Sequence, residues 1–495
     1  MPAVTARSRA EPLAAASVAI LVTALAVAAA AVIVTGSQLV AYHWELPFIG
    51  SEFINVFHAG RLAGGEGLYV DPGVGTWSFP VYFPGMYALL APLSWIDGEG
   101  PIWLQRLAML AALIGVAALA AVTARRLGAG IALALASGLA LFAFEPVGYL
   151  VAAVRPDVLG MLFAAAAVAA VTRWEDEHGA RWIAIAALLC AATILVRQVY
   201  APIPVALAIA VLVRDRRAGL RLLAGTAVAA MLGLGITELA SGGAFSADQR
   251  AFTDLFALSS LGEAAEAQLL PPNVLYVLGA AGCALGLAGG GRRAAHFAWL
   301  GAAVACLAAV KVGSSGNYFL PLMWTSAVLV GPTLASVGRR FGPAALAAGA
   351  ALTAALLIAP VAGAIDRARS FDDGLAPLED GYAEAVQRLE ASPGEVLGDR
   401  FDLLQAAGKE PTFEALLLAQ IETTGGGAPD DLVTAVGEGR FALLQTSFDL
   451  RGTVPAYQEL AFWPDSVVSA ARERYCELWA GAGVWIYEPC GERRP

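Results

Sequence analysis

The sequence predicts an all-α polytopic membrane protein with about eleven transmembrane helices and a small C-terminal extracytoplasmic α/β domain. Hydrophobic residues make up 58% of the 495 residues, charged residues only 15%, and the mean hydropathy is +0.66. In soluble globular proteins about a quarter of the residues are charged. Apolar stretches of spanning length recur up to Gly363, and beyond it charged and apolar residues mix as in an ordinary soluble domain.

The transmembrane domain is predicted to occupy residues 1–363, with a long first outer loop at 41–101, and the soluble domain to occupy 364–495. A spanning helix needs roughly 20 apolar residues because the hydrocarbon core is about 30 Å thick. The predicted spans lie near residues 13–35, 103–124, 129–147, 157–172, 182–197, 199–213, 221–241, 272–289, 294–311, 318–337 and 343–363.

In the C-terminal part, short β-like runs alternate with helix-like segments, a pattern that predicts a small α/β module. The β-like runs are Glu395–Leu397, Phe441–Gln445 and Val484–Tyr487, and the helix-like segments are Tyr382–Glu390, Asp430–Val436 and Asp465–Tyr475. Cys476 and Cys490 lie in the same region. Outside the cell they would be free to form a disulfide, and two free thiols are the alternative.

Arginine pairs in alternate polar breaks predict the orientation, because short loops rich in Lys and Arg stay cytoplasmic. These breaks contain Arg7 and Arg9, Arg125 and Arg126, Arg173 and Arg181, Arg214 to Arg217, Arg292 and Arg293, and Arg339 and Arg340. The N-terminus is therefore expected inside the cell and the C-terminal domain outside. If residues 81–96 formed a further span, this order would invert and most arginine pairs would face outward.

The first outer loop holds two carboxylates, Glu52 and Asp71, that could act as a general base toward a hydroxyl. Glu52 follows the first span, where the head group of a membrane-embedded substrate would lie. A solvated loop acid is the alternative, and Asp71 also fits an ordinary turn, since Pro72 and Gly73 follow it. Short helices are predicted over Ser51–Leu62 and Tyr82–Trp95 in this loop, and over Ala247–Leu258 in a second outer loop.

Several charged residues lie at the predicted outer ends of spans, where charge is costly and usually paired or functional. Arg155, Arg197 and Lys311 could converge on one anionic group, and a lipid phosphate fits because Arg binds phosphate with two hydrogen bonds. Asp157 and Gln198 accompany them in the sequence. Two alternatives are mutual neutralisation of Arg155 and Asp157, and snorkelling of each cation to lipid head groups.

No metal-binding or nucleotide-binding motif of soluble enzymes is present in the sequence. Of the four histidines, His43 and His58 share the first outer loop with Glu52 and could hold one ion with it. A structural or interfacial role for both histidines is favoured, because the four are too scattered for a metal site.

Several motifs resemble those of bacterial GT-C-type membrane glycosyltransferases, in the same order along the chain. The stretches SEFINVFHAGRLAGGEGLYVDP and FPVYFPGMYALLAPL resemble the first outer loop of that family, in which an acidic residue precedes A-x-x-L-x-x-G-x-x-LY and Y-x-P-x-Y-x-L. Arg155-Pro156-Asp157 resembles an RPD at the start of a span, and Arg197-Gln198 resembles a KQ pair. Asn317-Tyr318 is similar to the end of a G-x-x-x-NY segment, and the tail is similar to the family's small extracytoplasmic domain.

The resemblance implies a GT-C-like fold and transfer of a sugar from a polyprenyl-phosphate donor to an extracytoplasmic glycan or lipid acceptor at the cell membrane. Glu52 takes the place of the family's presumed base or metal ligand. Many relatives have an Asp-Glu pair where this sequence has Ser51 before Glu52, so a divalent cation such as Mg²⁺ or Mn²⁺ stays an open alternative. Membrane lipids are expected partners, and nucleic acid is not.

Aromatic residues provide a further set of candidate binding residues. Trp77, Tyr82 and Tyr318 could form stacking walls for sugar rings, although Trp and Tyr also populate membrane interfaces for physical reasons. The interface explanation is favoured for each of them taken alone.

The main alternative function is a transporter or flippase of lipid-linked sugars. Transporters place their binding residues near the bilayer midplane, often on interrupted helices, whereas most ionisable residues here fall at the ends of predicted spans. A polymerase or ligase acting on lipid-linked glycans stays close to the favoured class. A non-catalytic scaffold would leave the long aromatic first loop without a purpose.

Overall fold

A bundle of apolar helices is followed by a small sheet in the computed structural model. It describes residues 2–45, 52–69, 77–78, 80–96, 102–251, 261–262, 265–266, 273–289, 293–311, 316–423, 428–457 and 460–491. The helices of the transmembrane part are α1 (Pro2–Ala41), α2 (Glu52–Gly64), α3 (Pro84–Ser94), α4 (Ile102–Arg126), α5 (Ile131–Ala140), α6 (Glu145–Leu150), α7 (Pro156–Glu177), α8 (Ala180–Val196), α9 (Pro202–Leu212), α10 (Arg216–Ala240), α11 (Ala244–Ala251), α12 (Val274–Ala288), α13 (Ala294–Ala305), α14 (Leu320–Phe341), α15 (Pro343–Leu356) and α16 (Ile358–Ala391).

Among the described residues, 6 helical segments are long and apolar enough to cross a membrane: Ala10–Ala41, Ile102–Arg126, Pro156–Glu177, Arg216–Ala240, Gly316–Phe341 and Pro343–Phe371. Shorter apolar helical segments are Ile131–Ala143, Ala180–Val196, Gln198–Leu212, Val274–Ala288 and Ala294–Val310. Each segment coincides with one predicted span. The predicted all-α polytopic fold with a small C-terminal α/β part is confirmed, while the number of crossings stays a prediction.

Helices α7 and α8 form an antiparallel hairpin. Pro156 occupies the first turn of α7, where its missing N–H costs nothing, and Arg155 precedes it in an extended conformation. The hairpin turns at His178, which adopts a left-handed conformation with φ of 52°. The start of α7 and the end of α8 therefore lie at the same end of the bundle, which brings Asp157 near Arg197.

The first loop packs against this same end of the bundle. A Cβ atom added to Gly85 would lie 2.7 Å from the carbonyl oxygen of Leu195, so the start of α3 approaches the last turn of α8 at backbone distance. Helix α2 and helix α3 confirm the two predicted loop helices. Helix α11 matches the first part of the predicted helix Ala247–Leu258, whose residues after 251 lie outside the described ranges.

The C-terminal domain contains a four-stranded sheet in the order β1-β2-β6-β5. Its elements are β1 (Val396–Gly398), α17 (Phe401–Ala406), α18 (Ala415–Thr423), α19 (Asp430–Gly437), β2 (Leu443–Thr446), β3 (Ala456–Tyr457), β4 (Leu460–Ala461), α20 (Asp465–Arg474), β5 (Tyr475–Gly481) and β6 (Val484–Pro489). Strands β1 and β2 are parallel, and the other pairs of this sheet are antiparallel. The predicted β-like runs are confirmed as strands.

Two features join the C-terminal domain to the rest of the chain. Helix α16 runs without interruption through the predicted domain boundary at residue 363, and the division into two domains stays a prediction. Trp77 of the first loop pairs through its backbone with the strand-like segment around Phe413: its N–H donates to Thr412 at 2.7 Å, and its carbonyl accepts from Glu414 at 3.0 Å. Within the domain, Cys476 and Cys490 form a disulfide.

Candidate functional site

Polar side chains from three elements meet at Asp157, in the second position of α7. We call this end of the bundle, which also carries the first loop, the loop end. Arg197 Nε lies 3.0 Å from Asp157 Oδ1, and Asn317 Nδ2 donates to both carboxylate oxygens at 3.3 Å. Arg155 Nε lies 3.8 Å from Oδ2. Asp157 therefore pairs more closely with Arg197 than with Arg155, its neighbour in sequence.

Two aromatic rings enclose the Arg197 guanidinium. Its central carbon lies 5.1 Å from the ring centre of Tyr82 and 5.2 Å from that of Tyr318, distances at which a cation is attracted by an aromatic face. Gly160 lets the backbone of α7 approach, since an added Cβ atom there would lie 2.9 Å from Arg197 Cβ. Two of the three predicted aromatic residues, Tyr82 and Tyr318, thus contact the predicted cation, whereas Trp77 pairs with the segment around Phe413.

Lys311 adds a third positive charge at the loop end, directly after the apolar segment Ala294–Val310. Burial, helped by the charge of Arg197, lowers the pKa of Lys311 to about 8. Gln198, the residue after Arg197, keeps a buried Oε1 that accepts no hydrogen bond from the described residues. Both groups can still contribute a charge or an acceptor to a ligand.

We call Arg155, Asp157, Arg197, Lys311 and Asn317 the loop-end cluster. With Lys311 protonated, the cluster holds three cations and one carboxylate, so it carries a formal surplus of two positive charges. A partly buried surplus of this kind is stabilised by an anionic ligand. The Arg155 side chain is 17% exposed, which places the accessible part of the charge at the rim of the cluster.

Glu52, the candidate base of the first loop, is fully buried and paired with Arg106 of α4. The two side chains make two parallel hydrogen bonds: Arg106 Nε donates to Oε1 at 2.9 Å and Nη2 donates to Oε2 at 2.6 Å. Arg106 also donates to the backbone carbonyls of Leu39, Tyr42 and Trp44. The arginine thus fixes the end of α1 and the start of α2 together.

The Glu52 carboxylate and the loop-end cluster are adjacent through the backbone. Oε1 of Glu52 accepts a hydrogen bond at 3.0 Å from the N–H of Val154, the residue before Arg155. Asn55 of α2 donates to the Val154 carbonyl at 2.9 Å. The structure therefore brings the candidate base beside the candidate phosphate ligands, although Glu52 and Val154 are 102 residues apart in the sequence.

The residues proposed for an ion do not form a ligand set. Both oxygens of Glu52 accept from Arg106, and His58 Nε2 lies 3.4 Å from Ser78 Oγ and 3.9 Å from Glu414 Oε2. His43 is exposed. No group of three metal-ligating side chains is present in the described part of the chain. Asp71 lies outside the described residues.

Three residues of this region were not predicted from the sequence. Arg106 is the clearest, since an arginine inside an apolar span calls for a carboxylate partner. Glu45 and Arg400 are the others: Arg400 of the C-terminal domain donates to the Glu45 carbonyl at 3.2 Å. Nothing local in the sequence indicates that contact.

The bundle with its first-loop helices and its small C-terminal domain has the fold of GT-C-type membrane glycosyltransferases. The chain is similar in structure to ArnT from Cupriavidus metallidurans bound to undecaprenyl phosphate, with a TM-score of 0.59 and 14% identity over 95% of this chain and 97% of that one.

It is also similar to the oligosaccharyltransferase AglB from Archaeoglobus fulgidus in complex with an inhibitory peptide and a dolichol-phosphate, with a TM-score of 0.53 and 13% identity over 96% of this chain and 75% of that one. A further structure of the Archaeoglobus enzyme, in complex with Zn and sulfate, has a TM-score of 0.51 and 14% identity over 92% of this chain and 73% of that one. No family model and no curated protein matches the sequence.

Proposed function

We propose that this protein is a membrane glycosyltransferase that takes a sugar from a polyprenyl-phosphate donor and transfers it to an extracytoplasmic glycan or lipid acceptor. The observation that carries the proposal is the surplus of positive charge in the loop-end cluster, beside the Glu52 carboxylate. Two structural neighbours hold undecaprenyl phosphate and dolichol-phosphate. We assign the lipid phosphate of the donor to Arg155, Arg197 and Lys311, because cationic side chains bind phosphate.

The cluster suits a phosphate that gains charge as it leaves. The bond between the sugar carbon and the phosphate oxygen breaks, the phosphate keeps the electron pair, and a diester with one negative charge becomes a monoester with two. A new bond forms between that carbon and the acceptor oxygen, whose proton passes to a carboxylate. Preorganised cations stabilise the developing charge on the phosphate more than the charge of the bound donor, and this difference accelerates the reaction.

The proposal assigns the proton to Glu52. Arg106 and the Val154 N–H together occupy Oε1 of Glu52, whereas Oε2 accepts one hydrogen bond, from Arg106. Because a carboxylate oxygen can accept two hydrogen bonds, the acceptor hydroxyl can add to Oε2 or replace the Val154 N–H at Oε1. We propose replacement of the Val154 N–H, which leaves the two bonds to Arg106 in place. It also directs the acceptor toward Arg155, where the phosphate is assigned.

The proposed orientation places the loop end and the C-terminal domain outside the cell and the N-terminus in the cytoplasm. Its support is the arginine content of the opposite end of the bundle, which holds Arg126, Arg214 and Arg293. A cysteine introduced at Gly243 should react with an impermeant thiol reagent in intact cells, and one at Arg216 should not. The reverse labelling pattern would contradict the orientation.

The activity is tested with purified protein in lipid and radiolabelled polyprenyl-phosphate sugars, comparing wild type with Glu52→Gln. We expect transfer by the wild type, loss of about 10³-fold in the variant if Glu52 is the base, and unchanged donor binding. Donor movement across liposomes without transfer from any donor would instead favour a flippase.

A double variant separates a base from a structural partner. Glu52→Gln leaves the Arg106 charge buried and unpaired, which by itself destabilises the first loop. In Glu52→Gln/Arg106→Gln both charges are gone and the two amides can still hydrogen-bond. If Glu52 is the base, the double variant folds and stays inactive. Recovery of transfer in the double variant would show that only the ion pair matters.

A further inference from the structure

A row of buried charged side chains connects the transmembrane bundle to the C-terminal domain. In order, its members are Arg106, Glu52, Glu45, Asp402 and Arg400, whose exposed fractions are 0%, 0%, 5%, 2% and 8%. We call them the charge row. The charged groups come from α4, from the start of α2, from the segment after α1 and from α17 and the residue before it.

Glu45 makes the central contacts of the charge row on both sides. Its Oε1 accepts a hydrogen bond at 2.7 Å from the backbone N–H of Glu52, the first residue of α2. Its own N–H donates to Asp402 Oδ2 at 2.9 Å, and its carbonyl accepts from Arg400 Nη2 at 3.2 Å. Glu45 thereby links the first residue of α2 to the C-terminal domain, and further along α2 the Phe57 ring packs against Phe401 with centroids 5.5 Å apart.

The charges of the row are balanced, which allows it to be buried. Arg106 pairs with Glu52 and Arg400 pairs with Asp402, at 2.9 Å from Nε to Oδ1. Glu45 is the third carboxyl group and has no side-chain ion pair among the described residues. Burial, together with the nearby Asp402 charge, raises the pKa of Glu45 to about 8. With Glu45 protonated, the row is electrically neutral, because two arginines balance the two remaining carboxylates.

Arg400 is held rigidly by its own domain. Its Nη1 donates to the hydroxyl of Tyr382 at 3.0 Å, and its backbone N–H donates to Gln445 Oε1 of β2 at 2.9 Å. The Tyr382 ring in turn packs edge-on against Trp44, with centroids 6.0 Å apart. A shift of the C-terminal domain would therefore move Glu45 and the start of α2 rather than be absorbed at Arg400.

We propose that Arg400 and Asp402 are positioning residues for the transfer reaction: through Glu45 they fix the start of α2, and with it the Glu52 carboxylate, against the loop-end cluster. The inference rests on the proposed function. It makes the C-terminal domain part of the catalytic unit instead of an appended module. No residue of the loop-end cluster belongs to the charge row. We therefore expect donor binding to be unaffected by substitution of Arg400 or Asp402.

The test uses the full-length protein in lipid nanodiscs and compares Arg400→Gln and Asp402→Asn with wild type. A misplacement of about 1 Å costs on the order of 10²-fold in rate, so we expect kcat to fall by about 10- to 100-fold while the donor KM stays within about twofold. The matched control is Arg388→Gln, on α16 of the same domain, whose exposed pair with Glu384 at 2.7 Å lies outside the row. It should leave kcat unchanged, and Arg400→Lys should recover part of the lost rate.

Glu45 gives the row a distinct pH signature. Wild-type kcat should fall as the pH rises above about 8, because ionisation of Glu45 adds a charge beside Asp402 and Glu52 that neither Arg400 nor Arg106 balances. Glu45→Gln resembles the protonated acid and keeps an oxygen for the Glu52 N–H. It should remove this decline, so that kcat of the variant no longer falls between pH 8 and 9.

Amide hydrogen exchange in α2 (Glu52–Gly64) provides a readout that needs no activity. We expect faster exchange of α2 in Arg400→Gln and unchanged exchange in Arg388→Gln. Unchanged kcat in folded Arg400→Gln, or a lower kcat with unchanged α2 exchange, would overturn the positioning role. If Arg400→Gln does not fold, Asp402→Asn carries the same comparison. If the wild type transfers no sugar, the proposed function fails, and the exchange experiment still decides whether the domain holds α2.

Discussion

Helix α7 carries acidic side chains at both ends, and the arginines that these acids contact differ in exposure between the two ends. At the loop end, Asp157 faces Arg197 and Arg155. At the opposite end, which we call the arginine end, the last turn of α7 brings acids to arginines from three other segments; the residues are Glu175, Asp176, Arg126, Arg214 and Arg293.

At the arginine end the contacts join helices to one another. Asp176 lies 3.0 Å from Arg126 of α4 and 2.9 Å from Arg293, which precedes α13. Glu175 accepts from the N–H of Ala294 at 2.8 Å. The arginines there are 28–30% exposed, so water partly solvates their guanidinium groups.

The loop end differs in the balance of charge and in its surroundings. The loop-end cluster holds a single carboxylate with two arginines and a lysine, and Arg197 is only 3% exposed between two aromatic rings. The named residues of the arginine end, three arginines and two acids, carry a surplus of one positive charge, whereas the loop-end cluster carries a surplus of two. The larger and more deeply buried surplus stabilises a fold less. This difference supports our proposal that Asp157 holds cations in place for an anionic ligand, whereas the acids of the arginine end join helices to one another.

The largest expected effect follows from removing Arg197. In Arg197→Gln, Asp157 loses its closest cation and the cluster loses one of its three positive charges, so we expect kcat/KM for the lipid-phosphate donor to fall by at least about 10²-fold. The measurement is steady-state transfer with purified protein in lipid, normalised to folded protein.

Arg214→Gln at the arginine end is the matched control. Arg214 pairs with Glu175 at 3.4 Å, and Arg214→Gln should change kcat/KM by less than about threefold, because Arg214 lies at the opposite end of α7 from the loop-end cluster. Equal losses in Arg197→Gln and Arg214→Gln would remove the distinction between the two ends.

A smaller effect is expected from the titration of Lys311. In the proposed function the charged lysine attracts the donor phosphate, and its pKa of about 8 means that the charge is present below that pH and lost above it. The donor KM should therefore rise above pH 8 by up to about tenfold per pH unit. Lys311→Arg stays charged and should give a KM that is independent of pH between 7 and 9.

This effect on KM is separable from the effect of Glu45 on kcat. Lys311→Arg should leave the alkaline decline of kcat in place, and Glu45→Gln should leave the alkaline rise of KM in place. If Lys311→Arg retained the wild-type pH dependence of KM, Lys311 would not be a ligand of the phosphate.

The loop-end cluster was predictable because topology alone brings its members together. Asp157 begins one span and Arg197 follows the end of the next, so any antiparallel hairpin of these spans places them at one end. Asn317 and Lys311 likewise flank a break between spans. The same reasoning identified the strands of the C-terminal domain, whose alternation with helices is visible in the sequence.

The connections around Glu52 could not be predicted in this way. Its partner Arg106 lies in another span, and the geometry of the pair depends on how the first loop folds back over the bundle. The contact between Arg400 and Glu45 joins residues 355 positions apart. Such contacts are determined by the docking of a whole domain, and neither residue stands out in its own segment.

The smallest effect on transfer is expected for Glu175→Gln at the arginine end. This substitution should instead lower the stability of the protein. The Glu175 side chain is 1% exposed and contacts Arg214 and Arg293. In Glu175→Gln the amide oxygen can still accept from Ala294, but the ion pairs are lost, so the thermal unfolding midpoint should fall by about 2–4 °C. The midpoint is measured in lipid by scanning fluorimetry.

Glu177→Gln provides the control on the same turn of α7. Glu177 contacts Arg173 at 2.6 Å, but its side chain is 35% exposed, so the unfolding midpoint should move by less than about 1 °C. In both variants, transfer per folded molecule and the pH dependence of the donor KM should equal those of wild type, because the arginine end contains no group of the loop-end cluster. Reduced transfer by folded Glu175→Gln would contradict this prediction. It would show that changes at the arginine end of α7 affect the loop-end cluster at the other end of the helix.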